Sequence, residues 1–123
     1  MTEKEVFIEK LKQITKRFAV DIILFCNSLK AGKASSVVEY QLVKCATSTG
    51  ANYRSACRAR SKAEFFSKIC IVLEEADESD YWLEIIDTAG LSNNKEELTR
   101  LKKEANEIIR IIGKAKNSSY PNR

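Results

Sequence analysis

Four times in this chain a helix-capping residue stands three positions ahead of a glutamate, directly before apolar residues at helical spacing. The pairs are Thr2 with Glu5, Ser36 with Glu39, Ser61 with Glu64 and Asn93 with Glu96. In such a box the cap side chain accepts the backbone N–H three residues on, and the glutamate reaches back to the cap's own N–H. One match is weak, because the pattern is short; four, each leading a periodic stretch, mark four helix starts. Gly32 and Gly90 stand where a glycine would release a helix into a left-handed turn. Together these signals predict helices over about 3–30, 36–60, 62–89 and 94–116.

Each predicted helix carries a core stripe. In the first, Phe7, Leu11, Ile14, Phe18, Ile22, Phe25 and Leu29 recur at steps of three and four. The fourth repeats the rhythm with Leu98, Leu101, Ala105, Ile108 and Ile112, and the third with Phe65, Ile69, Val72, Ala76, Leu83 and Ile86. The expected fold is therefore all-α: one antiparallel up-down-up-down four-helix bundle over residues 1–117, with 118–123 as a frayed C-terminal tail. Four glycines and one proline leave little material for the turns of a β-rich alternative.

The same inventory narrows the chemistry. There is no histidine, which removes Ser-His-Asp triads, most zinc sites and the Glu-x-x-His pattern of di-iron bundles. Cys26, Cys45, Cys57 and Cys70 are widely spaced and form no Cys-x-x-Cys pair, so they read as small, reduced, buried residues. No apolar run approaches the roughly 20 residues of a membrane span. The expectation is a cytoplasmic protein with no catalytic residues, no metal and no cofactor.

Two helices depart from the simple pattern. The second has an inner stripe of Val38, Leu42, Cys45, Thr49, Asn52 and Ala56, in which polar and small residues hold core-like positions. A buried Asn52 needs a hydrogen-bond partner, either across the bundle or in a contact between subunits. The third carries Phe66, Ile71, Leu73, Trp82 and Ile85 outside its core stripe, so it is apolar nearly all round. A helix of that kind is covered on every side, which points to self-association. Asn52, Phe66, Ile71, Trp82 and Ile85 are the candidate oligomer interface.

Charge is unevenly divided. The formal net charge is +4, yet residues 63–90 set eight carboxylates (Glu64, Glu74, Glu75, Asp77, Glu78, Asp80, Glu84 and Asp87) against Lys68 alone. The remaining segments are basic. On the second helix Tyr40, Lys44, Arg54, Arg58 and Lys62 project away from the core stripe. Such a ridge could track a phosphate backbone, dock on the acidic third helix of a neighbouring copy, or simply be solvated. Lys44, Arg54, Arg58, Arg60 and Lys62 are the candidate nucleic-acid-binding residues.

The runs Thr47–Arg54, Arg60–Phe65 and Ile71–Glu84 resemble the bacterial four helix bundle protein family. That family includes proteins encoded in intervening sequences of large-subunit rRNA genes. It is also similar to the accessory variability determinant that assists the reverse transcriptase of diversity-generating retroelements. Ser48 and Asn52 match the family's Ser-x-x-x-Asn element, and Ser61, Glu64 and Phe65 its Ser-x-x-Glu-Phe element. Many members have Pro where this chain has Gly50, and Glu-Gly where it has Ser55-Ala56. The resemblance implies an antiparallel bundle that assembles as a homopentamer without enzymatic activity and associates with RNA, DNA or a nucleic-acid enzyme. The expected function is thus a non-catalytic oligomeric scaffold for nucleic acid, or for a ribonucleoprotein or reverse-transcriptase partner. The alternative is a protein–protein adaptor that ignores nucleic acid.

Overall fold

Thr2 opens the first helix as its capping box requires. In the computed structural model, which describes residues 1–120, Thr2 Oγ1 accepts the Glu5 N–H at 3.1 Å and the Glu5 carboxylate accepts the Thr2 N–H at 3.2 Å. The helix so started, α1 (Glu3–Phe25), ends sooner than the predicted residue 30. Ser28 accounts for the early stop: its hydroxyl donates to the Phe25 carbonyl at 2.7 Å and meets Ser92 Oγ at 2.7 Å. Cys26–Ser28 accordingly tighten into a 3₁₀ turn, and Leu29 forms an isolated bridge with Ser92. The Lys30 N–H then donates to the Leu91 carbonyl at 2.8 Å. Two loops far apart in sequence are stitched together at this end of the molecule.

The second helix, α2 (Lys33–Cys57), corrects the reading of Ser36 and Gly32. Its N-cap is Gly32, at φ 149 and ψ 164, with no side-chain capping bond. That conformation is nearly closed to residues with a Cβ, so glycine lets the chain turn straight into the helix. Ser36 falls inside the first turn, where its hydroxyl donates back to the Gly32 carbonyl at 3.0 Å. α3 (Lys62–Ala89) follows the prediction: Ser61 Oγ accepts the Glu64 N–H at 3.0 Å, and Gly90 closes the helix at φ 65. α4 (Lys95–Ser118) is capped by Asn94, not Asn93, through the Glu97 N–H at 3.2 Å. Both asparagines precede a glutamate by three; the Asn94 N–H bound to Ser92 Oγ at 3.0 Å decides between them. Helix continues through Ser118, past the predicted domain end, and residues 121–123 of the expected tail lie outside the described residues.

The helices pack in chain order, α1 on α2, α2 on α3 and α3 on α4, and α4 closes on α1 across the thinnest seam. The result is an antiparallel up-down-up-down bundle, with no strand among the described residues beyond the isolated bridge. Every residue of the α4 stripe is buried, as is most of the stripe on α3. Burying a side chain of this size stabilises by about 1.5–3 kcal/mol before the entropy of ordering is set against it. Phe7 departs from the stripe: it is 49% exposed, at the first turns of α1. Thr15, Thr49 and Ser79 are fully buried instead. Each hydroxyl donates to the carbonyl four residues back, to Leu11 at 3.0 Å, Cys45 at 2.9 Å and Glu75 at 2.9 Å. Their polarity is satisfied within the helix, so the core accepts them.

Gly50 sets the spacing of α1 and α2. A Cβ there would lie 3.3 Å from Thr15 Oγ1 and 3.5 Å from the Thr15 backbone carbonyl carbon. The two helices approach at a point where only hydrogen fits comfortably. Tyr53 and Ala46 continue the buried surface along this seam.

Candidate nucleic-acid interface

With Val38, Leu42, Cys45, Thr49 and Ala56 turned inward, helical geometry sends the opposite face of α2 to solvent. Tyr40, Lys44, Arg54 and Arg58 lie on it, all exposed, and Lys33 extends the same face by one step of seven. Lys44 and Arg58 are about 20 Å apart along the axis at the helical rise per residue. No carboxylate stands in that row; Glu39, the one acid of α2, belongs to another face. Neither the Arg54 nor the Arg58 side chain forms an ion pair or hydrogen bond with any other described residue. Arg100, by contrast, is held by Glu97 at 2.7 Å and Asp21 at 2.9 Å. Cations near the C-terminus of a helix also interact favourably with its dipole, by about 0.3–1 kcal/mol, and Arg54 sits in the last turn of α2.

The structure divides the five candidate cations. Arg54 and Arg58 form the exposed ridge. Lys44 shares their face but lies against the acidic edge of α3, where its charge opposes the upward shift that burial and Glu78 give the Glu75 carboxyl. Arg60 and Lys62 leave the ridge altogether: they flank the turn between α2 and α3 and border a cleft at the end of the bundle.

The candidate interface residues are divided as well. Asn52 is half-buried, and its Nδ2 donates to the Ser48 carbonyl at 2.9 Å. The polar pair Ser48–Asn52 is thus bonded along its own helix and not across the bundle. Trp82 and Ile85 pack against the chain's own core, together with Leu73. Trp82 Nε1 also donates to the Glu78 carboxylate at 3.0 Å. Phe66 meets Tyr120 with ring centroids 4.6 Å apart. The two-sided apolar character of α3 comes largely from its place between α2 and α4. Ile71, 41% exposed, and Tyr81, 52% exposed, are left in solvent, and on α1 so are Val20, Ile23 and Leu24.

Of the four cysteines expected inside, Cys26 and Cys45 are buried, whereas Cys57 and Cys70 are half-buried. Burial pushes the Cys26 and Cys45 thiols up to about 11, so both are protonated and unreactive at neutral pH. Cys45 Sγ accepts the Ser79 hydroxyl at 3.3 Å, linking α2 to α3 inside the core. Burial also raises Tyr53, with Cys57 beside it. Among the described residues no group of three or more Cys, Asp or Glu is placed to hold a metal ion. No helix among the described residues is long and apolar enough to cross a membrane.

Fold and surface together define a helical-bundle protein with a solvent-facing cationic helix. The profile of the 23S rRNA-intervening sequence protein matches residues 9–114, and the chain belongs to that family. It is also similar to a solved structure from Bacteroides thetaiotaomicron, described as a protein with unknown function from the S23 ribosomal protein family. The two are 32% identical, with a TM-score of 0.75 over 86% of this chain and 97% of the other. No curated protein matches the chain.

Proposed function

We infer that this protein is a non-catalytic homo-oligomeric scaffold whose basic surfaces bind nucleic acid, or a ribonucleoprotein or reverse-transcriptase partner. The observation that carries the reading is the pair Arg54 and Arg58: exposed, one turn apart, unpaired among the described residues and on a face without carboxylates. Charge of that kind on a rigid helix is suited to phosphate contact. Tyr40, 64% exposed on the same face, offers a ring for stacking. The family's name makes a 23S rRNA fragment the first probe to try. Self-association is supported by the exposed Ile71 and Tyr81 of α3 and by Val20, Ile23 and Leu24 of α1. The family resemblance makes a pentamer the stoichiometry to test.

Arg54→Glu with Arg58→Glu tests the reading. RNA binding weakens while the oligomer stays intact by sedimentation, and the salt dependence flattens by about 0.7–0.9 log units per lost contact. Docking of the ridge on a neighbouring copy has its own support in charge complementarity, since Glu74, Asp77 and Glu84 of α3 are exposed and take part in no ion pair among the described residues. If the ridge docks on α3 of a neighbour, the same double variant dissociates, and Glu74→Lys or Glu78→Lys restores assembly. Unchanged RNA binding with an intact oligomer defeats both readings.

A further inference from the structure

At the end of the bundle opposite the stitched loops, α1 begins, α2 passes into α3 and α4 stops. The helix ends leave between them a cleft of about 610 Å³, a size common among small-molecule sites. Its inner wall is apolar, built from Ile8, Leu11, Tyr53 and Phe65. Lys4, Arg60 and Lys62 line it as well, and among the described residues no carboxylate does. None of these three cations is ion-paired with another described residue. The positive end of the α3 dipole lies at the same place, because α3 starts at Lys62.

The serine hydroxyls on the wall are already committed. Ser61 Oγ accepts the Glu64 N–H at 3.0 Å. Ser118 and Ser119 donate to the carbonyls of Lys114 and Lys116, each at 3.0 Å. The Tyr53 ring is buried, with Cys57 beside it, and burial raises its hydroxyl pKa. The wall therefore offers apolar surface and shape but few free hydrogen-bonding groups, which disfavours a nucleobase or a sugar as occupant. Among the described residues that line it, charge comes from the two lysines and the arginine.

We propose that this cleft binds a free amphipathic anion, a medium-chain carboxylate. Its alkyl chain lies against Leu11, Tyr53 and Phe65, and its head group meets Lys4, Arg60 and Lys62. The site is separate from the α2 ridge, so it stands or falls independently of nucleic-acid binding.

Isothermal titration of the full chain with monomeric decanoate tests the proposal. Decanoate binds saturably, one molecule per chain, and 1-decanol binds weaker by about tenfold for want of the head-group charge. Arg60→Glu with Lys62→Glu lowers decanoate affinity by about tenfold or more. Arg54→Glu with Arg58→Glu, the same charge change away from the cleft, leaves it within about twofold. Ala115→Phe, which fills the cleft from α4, removes saturable binding; if its thermal melt shows loss of folding, Ala59→Trp in the turn replaces it. The proposal is overturned if decanoate does not saturate at millimolar concentration, or if either filling variant folds and binds normally. Equal losses from the two charge reversals also overturn it. So does binding to phosphatidylglycerol vesicles without binding of monomeric decanoate, which would make the cleft part of a membrane-binding surface. A filling variant that changes the sedimentation mass, with no decanoate binding to the unaltered chain, would assign the cleft to a second copy and likewise overturn the proposal.

Discussion

At the scale of single residues, Gly50 and Thr15 show how closely the core is fitted. Adding a methyl at Gly50 improves intrinsic helix propensity by about 0.8–1 kcal/mol, yet the new Cβ meets Thr15 Oγ1 at 3.3 Å. The two effects oppose one another, so Gly50→Ala is close to neutral in urea unfolding. Gly50→Leu has no such compensation and costs about 1–3 kcal/mol, because α1 must move away from α2. A midpoint for Gly50→Leu equal to that of the parent chain would show that the close approach is not a constraint. Buried hydroxyls carry a related lesson about what a sequence discloses. Thr15, Thr49 and Ser79 bond to carbonyls of their own helices, and hydropathy gives no sign that such residues belong inside. Thr49 was legible only because it fell in step with Val38, Leu42 and Cys45. Thr15 and Ser79, beside stronger apolar neighbours, were not.

At the scale of elements, helix starts were legible where the side chain made the cap and obscure where the backbone did. Thr2 and Ser61 cap their helices as read. Asn93 missed by one residue, because a serine two positions before Asn94 selects the register. Ser36 missed because Gly32 enters α2 at φ 149 without a capping side chain. From this follows a reversal of the usual preference. Serine is a favoured N-cap, but Gly32→Ser destabilises by about 1–3 kcal/mol, since a Cβ at that φ is strained. Thermal melting of Gly32→Ser beside Thr2→Ala, which costs about 1 kcal/mol by loss of a cap, checks the sign. An increase in melting temperature for Gly32→Ser would mean that the strain is absent. The outward row of Arg54 and Arg58 was legible for the opposite reason: helical spacing alone places it. Arg60 and Lys62 follow in sequence but leave the helix, and the cleft they border draws on residues as distant as Lys4 and Ser119. Nothing in local periodicity brings those together.

At the scale of the whole molecule, charge on α3 and α4 shapes the response to pH. The hydrogen bond from Arg100 holds the Glu97 carboxyl below its usual value. Its contribution to stability is present above the unfolded-state value and lost as pH falls through the lowered one. Glu75 is shifted the other way, by burial and then by Glu78. The folded chain binds the Glu75 proton more readily than the unfolded chain does, so stability rises as pH drops from neutral into the carboxylate range. The melting temperature therefore peaks on the acid side of neutrality, and Glu75→Gln flattens the approach to that peak from neutral pH. A Glu75→Gln profile parallel to the parent's would remove Glu75 as the source. Symmetry of a different kind follows from the even number of helices. The chain returns to the end where it began, so Lys4 and Ser119 border the same cleft, and α1 meets α4 across the thinnest seam. Traction applied between the two ends would load that seam one turn at a time and peel the helices apart like a zipper, without first shearing the core. Any cargo tethered at both ends would therefore pull along the weak direction of the bundle.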